Sequence, residues 1–150
     1  MVILGLNSLT KGHYYIYSLA LHLDEMNESV DFEYASIVIR NGIMECYYKP
    51  LPELGLDIAQ EMVKERVKMA SGISYPCLFD LSSIAKVTQE ARDYLAKDGN
   101  AYVKASALIV SSPMVKMLAN FFVAVNKPVS PTRLFTSKEP AIKWLQQFKD

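Results

Sequence analysis

The chain has 150 residues, 51% hydrophobic and 21% charged, a length and balance that suit one globular domain with a sizeable core and exclude a disordered chain. Lys and Arg together number 16 and Asp and Glu together number 16, so no net positive charge is available to displace counterions from phosphates, and nucleic acid is excluded as a partner. No stretch reaches the roughly 18 uninterrupted apolar residues of a membrane span.

Residues 1–30 form an N-terminal leader that does not match the rest, and residues 31–150 read as the single domain. Val2 to Leu6 is apolar, a polar break follows, and Tyr14 to Leu23 is a mixed apolar run. No positive residue precedes the first run and no small-residue cleavage site follows, so it is a poor signal peptide. Met26 opens a polar start that runs straight into a strand, so translation from Met26, with residues 1–25 as an upstream extension, is one expectation. Both histidines, His13 and His22, fall in this leader, without ligand-spaced neighbours, and no metal site is expected.

Phe32 to Arg40 alternates apolar and polar residues as a half-buried strand does. Asn41-Gly42 separates it from Ile43 to Lys49, and Asn-Gly between two β-rich runs predicts a two-residue hairpin turn with positive φ at both positions. Pro50 and Pro52 end the hairpin. Glu53 to Ser71 is a predicted helix with a stripe of Ile58, Ala59, Met62, Val63, Val67 and Ala70, and Gly72 stops it. Tyr75 to Leu81 is a continuous apolar strand ending at Asp80, of the kind buried in a parallel sheet. Thr88 caps a helix that runs to about Lys97, with Glu90 in its first turn.

Ala105 to Val110 is a second buried strand. Ser111, Ser112 and Pro113 make a compact helix start, and the helix is expected to run to Val125 before Asn126-Lys127-Pro128 breaks it. Thr132 to Thr136 is a short strand, and Lys138 to Phe148 the last helix, with Ser137 as its cap so that Pro140 stays within the first turn. Cys46 and Cys77 each sit inside a strand and read as small buried hydrophobes in a reducing cytoplasm. The order is β-β-α-β-α-β-α-β-α, an α/β layered sheet, mostly parallel, with an antiparallel N-terminal hairpin.

Two stretches carry a family resemblance: YPCLFDLSSIAKVTQEARDYLA from Tyr75 to Ala96, and ALIVSSPMVKMLANFFVAVNKPVSPTRLFTSKEPAIKWL from Ala107 to Leu145. Together they resemble the STAS domain of the sporulation anti-sigma-factor antagonist, and more closely the bacterial SpoIIAA-like domains of unassigned function. In a STAS antagonist a serine at the turn before the helix is phosphorylated to release the partner. Here the corresponding turn is Thr88, Gln89 and Glu90: Gln89 and Glu90 stand at the serine positions, Glu90 cannot be phosphorylated, and Thr88 is offset and serves as a cap. The SpoIIAA-like fold is also similar to the C-terminal lobe of CRAL-TRIO lipid carriers, which implies an apolar ligand or a membrane surface.

The expected binding surface is the 113–128 helix and turn, through Met114, Met117, Leu118, Phe121, Phe122, Asn126 and Lys127. That helix is apolar beyond the stripe a core contact requires. Its methionines and phenylalanines suit an adaptable apolar contact, with Lys127 beside a headgroup or acidic partner. Partners compatible with this are an apolar small molecule or lipid, a protein, or a second copy in a homodimer, in a cytoplasmic protein peripheral to the membrane. The runner-up is a regulatory protein-interaction module acting through Thr88, Gln89 and Glu90. No Gly-x-Ser-x-Gly elbow, domain histidine or Gly-rich phosphate loop is present, so neither catalysis nor a cofactor is expected.

Overall fold

A computed structural model describes residues 28–111, 113 and 128–150. The expected leader up to residue 27, and the expected surface residues Met114, Met117, Leu118, Phe121, Phe122, Asn126 and Lys127, lie outside the described residues.

The described strands are β1 (Glu28–Asp31), β2 (Ala35–Arg40), β3 (Ile43–Tyr48), β4 (Tyr75–Asp80), β5 (Val103–Ile109) and β6 (Thr132–Phe135). They form one sheet in the order β1-β2-β3-β4-β5-β6, with the first two pairings antiparallel and the other three parallel. This is the α/β class expected from the sequence, extended by one strand. The expected strand from Phe32 divides: Phe32–Tyr34 is a turn, closed by the Phe32 amide donating to the Ala35 carbonyl at 3.0 Å, and Glu28–Asp31 pairs back on β2. Residues 28–30, assigned from sequence to the leader, are therefore in the sheet.

The β2–β3 turn has the expected geometry, with Asn41 at φ 51° and Gly42 at φ 75°, and Arg40 pairs with Ile43 across it. Helix α1 (Leu56–Ala70) and helix α2 (Gln89–Ala96) connect β3 to β4 and β4 to β5. Their apolar sides join Ala35, Tyr48, Leu108 and Val110 of the sheet region, through Ala59, Met62 and Ala91. Helix α3 (Lys138–Leu145) places Ala141 and Leu145 with Ile43, Leu78, Ala105, Ala107 and Ile109 in a second cluster. Central strands that feed two clusters bury residues on both faces, which is why Tyr75–Phe79 of β4 and Ala105–Ile109 of β5 are mostly apolar without strict alternation.

The buried stripe of α1 is Ala59, Met62, Val63, Arg66 and Ala70. Val67, assigned to the stripe from the sequence, is only half-buried, and Arg66 takes the inward position. The spacing explains it: Arg66 follows Met62 by four residues and Val63 by three, so it shares their face. Ser137 occupies the cap position of α3 as expected, although its hydroxyl makes no capping bond.

The segments before α1 and α2 also pair. Leu51 and Leu54 form parallel bridges with Ile84 and Val87. The Leu54 amide donates to the Lys86 carbonyl at 2.7 Å, and the Thr88 amide donates to the Leu54 carbonyl at 3.0 Å. The two helix starts are thus fixed to each other before either helix begins.

On the α3 side, Glu45 is 3% exposed and has three partners. It accepts from the Tyr47 hydroxyl at 2.9 Å and pairs with Arg40 at 3.4 Å and Lys138 at 3.7 Å. This buried carboxylate ties the hairpin to the first turn of α3.

Gly42 tests the hairpin. An alanine there must hold a left-handed backbone, and its Cβ would stand 3.2 Å from Lys149 Cε. Gly42→Ala is expected to lose about 1–2 kcal/mol of unfolding free energy, measured by urea denaturation. A change below a few tenths would mean the turn does not constrain the fold.

Candidate functional site

Between the α1–α2 layer and the sheet lies a cavity of about 70 Å³. Its apolar walls include Leu54, Met62, Val63, Leu81, Val87 and Leu108. Four elements bring them together: α1 contributes Met62 and Val63, β5 contributes Leu108, and the paired segments before the helices contribute Leu54 and Val87. Polar groups interrupt this surface at Arg66, Arg92, Asn100, Ser106 and Thr132.

Arg66 reaches across from α1. Its Nη1 donates to the Ala101 carbonyl at 2.8 Å and its Nη2 to the Gly99 carbonyl at 2.5 Å, with the guanidinium carbon 5.9 Å from the centre of the Phe79 ring. Gly99 is packed closely enough to exclude a larger residue without adjustment: an added Cβ would lie 3.3 Å from Leu95 Cδ2 and 3.5 Å from Val63 Cγ2. Arg92 is also buried, and its Nη1 donates to the Val87 carbonyl at 2.6 Å.

Asn100 closes the end of α2. Its Nδ2 donates to the carbonyls of Leu95 at 3.2 Å and Ala96 at 2.7 Å, and its Oδ1 accepts from the Ser130 hydroxyl at 2.5 Å. The Val129 amide adds a bond to the Ala96 carbonyl at 3.3 Å. Pro128, the last residue of the expected 113–128 surface, lines the cavity. That contact is the described link between the expected surface and this site.

Burial controls the titration of Cys46, Cys77 and Tyr48. Desolvation pushes the Cys77 thiol up to about 12 and the Cys46 thiol well above its usual value, while the Arg66 charge opposes both shifts. The Tyr48 hydroxyl is raised by desolvation in the same way. Both cysteines are free and buried, so they are inert protonated thiols and not nucleophiles.

The Thr88, Gln89 and Glu90 turn lies at the start of α2. The Thr88 hydroxyl accepts from the Ala91 amide at 3.2 Å, its amide is bonded to Leu54, and its carbonyl accepts from the Arg92 amide at 3.0 Å. The capping role expected for Thr88 is the one it has. Gln89 and Glu90 are exposed, with Ala91 and Arg92 buried behind them. At the end of β4, Asp80 Oδ1 accepts from the Ser82 amide at 3.0 Å and the Ser82 hydroxyl at 2.5 Å, a local turn device.

Among the described residues no group of three or more His, Cys, Asp or Glu side chains is placed to hold a metal ion. No helix among them is long and apolar enough to cross a membrane. The cavity and the inward Arg66 were missed by sequence reasoning, although the helical phase of position 66 was visible.

Raised thiols make stability pH-dependent. Above its ordinary value of 9.0, the Cys77 thiol ionises in the unfolded chain but stays protonated in the fold until about 12. Stability is therefore present below pH 9 and falls as pH rises through that window. Relative to Cys77→Ala, the native chain is expected to lose about 2 kcal/mol more between pH 8 and about pH 10.5, by urea denaturation. Equal losses in the two chains would contradict the buried-thiol assignment.

No curated protein matches this sequence. Among solved structures, a likeness is found to an uncharacterized protein of the DUF3478 family with a SpoIIAA-like fold, from Shewanella loihica PV-4. The two share 15% identity, with 80% of this chain and 92% of that chain covered and a TM-score of 0.47. The likeness implies nothing about ligand or partner. Residues 37–149 match the family described as a domain of unknown function, DUF7793, and the chain belongs to that family.

Proposed function

We propose that the domain is a non-enzymatic binding module that takes a small apolar molecule in the cavity between the α1–α2 layer and the sheet. The observation that carries this reading is a cavity of about 70 Å³ walled mainly by aliphatic side chains. Protein interiors pack to crystal density, and voids larger than a water molecule are few. A void of this size holds about five water-sized groups. It suits a short aliphatic molecule or one end of a longer one.

The support extends to the frame around the cavity. The paired segments at Leu51–Ile84 and Leu54–Val87 fix one side, and Arg66 with its two carbonyls fixes another. Such a frame resists collapse, so the space is available before a ligand arrives. The runner-up, a protein-interaction module acting through Thr88, Gln89 and Glu90, has the exposure of Gln89 and Glu90 in its favour. The hydroxyl a phosphate would modify is engaged as a helix cap. The apolar cavity is the stronger ground.

Xenon and 1-butanol test the reading. Methyl-region NMR of the full chain is expected to show shifts at Leu54, Val63 and Leu108, and Val63→Phe, which fills the space, is expected to abolish them. Shifts scattered over the exterior, or no shifts at all, would sink it.

A further inference from the structure

A guanidinium held in an apolar interior is costly unless negative charge answers it. Arg66 is 2% exposed, and its partners are neutral: the carbonyls of Gly99 and Ala101, and the face of Phe79. Those carbonyls lie in the connection after α2 and offer dipoles with no net charge. Among the described residues Glu45 is the one buried carboxylate, and it is engaged by Arg40, Lys138 and Tyr47. The contrast is informative. The buried anion of this fold has its counter-charges, whereas the Arg66 cation lines a cavity that has no carboxylate among its described lining residues. Ser106, on the neighbouring wall, adds a hydroxyl that can donate.

Resting on the apolar-cavity reading, we infer that the occupant is an aliphatic carboxylate, its chain against Val63, Leu81 and Leu108 and its charged end on Arg66 and Ser106. A carboxylate accepts from a guanidinium fork through charge-assisted bonds about twice as strong as neutral ones, and in a low-dielectric site the pairing selects against neutral and cationic molecules of the same shape. Two of the Arg66 N–H groups are engaged by Ala101 and Gly99, which leaves donors for a ligand and holds the fork in place beforehand. The carboxylate has two sources, a free short-chain acid or the head of a longer fatty acid, and chain length separates them.

The test is titration of the full chain with butyrate, 1-butanol, butylammonium and decanoate, followed by calorimetry and methyl NMR. Butyrate is expected to bind at least tenfold more tightly than 1-butanol, the neutral molecule of the same chain length, with butylammonium weaker than either. Decanoate above butyrate identifies the longer acid, and the reverse identifies the short one. Arg66→Met is expected to lose the preference for acid over alcohol; because it also removes the bonds to Gly99 and Ala101, the comparison of the four ligands on the native chain carries the test without it. Equal affinity for butyrate and 1-butanol, or binding of the alcohol but not the acids, overturns the carboxylate assignment and leaves the apolar cavity intact. No cavity shifts with any of the four, or with xenon, overturns both.

Discussion

The architecture of the α1–α2 layer depends on one side chain crossing between its helices. Arg66 leaves α1 and ends on the carbonyls of Gly99 and Ala101, in the connection from α2 to β5. A hydrophobic side chain there would draw the two helices together until the gap closed. The guanidinium instead sets a spacing, because its planar fork must reach both oxygens. Close packing of Gly99 against Val63 and Leu95 holds the receiving end. Arg66 thus stands as a polar strut along one wall of the cavity, with aliphatic residues making up the others.

Much of this was legible in the residues. Asn41-Gly42 named its turn, because both positions need left-handed backbone and the pair supplies it. Thr88 named its cap, and the apolar runs at Tyr75 and Ala105 named central strands, because burial on two faces leaves no room for alternation. What escaped had physical causes too. Glu28–Asp31 is short and mostly exposed, so it lacks the alternating pattern that marks a strand. Arg66 was obscured by its own charge: beside Lys64, Glu65 and Lys68 it reads as part of a solvated face, though its phase matches Met62 and Val63. The bridges at Leu51–Ile84 and Leu54–Val87 join segments about thirty residues apart that carry no repeat or motif, and no local signal announces them.

Buried charges on the two sides of the sheet differ in role. Glu45, with Arg40, Lys138 and Tyr47 around it, is a closed arrangement that joins hairpin to final helix. Desolvation raises the Tyr47 hydroxyl, and the hydrogen bond that Lys138 donates to the Tyr47 oxygen is the main reason the lysine holds its proton more firmly. A site so fully paired has little left to offer a ligand. The cavity side is different, since Arg66 there meets only neutral groups among the described residues, two backbone carbonyls and the Phe79 ring. The lining residues run from Cys46 to Thr132, within the 37–149 stretch shared with the family, whereas β1 lies before it. Family sequence thus coincides with the cavity and not with the added edge strand.

The sheet keeps its strands in the order of the chain, β1 through β6. Each strand finds its partner in the strand just made, so no earlier strand must wait for a distant one and no later strand must thread between two already in place. Loop-closure entropy is met in small increments, across short turns from β1 to β3 and then across single helices from β3 to β5. Such a chain can assemble by accretion from its hairpin outward, and among the described residues the edges of its sheet are β1 and β6, four residues each, short edges that give a foreign strand little to pair with.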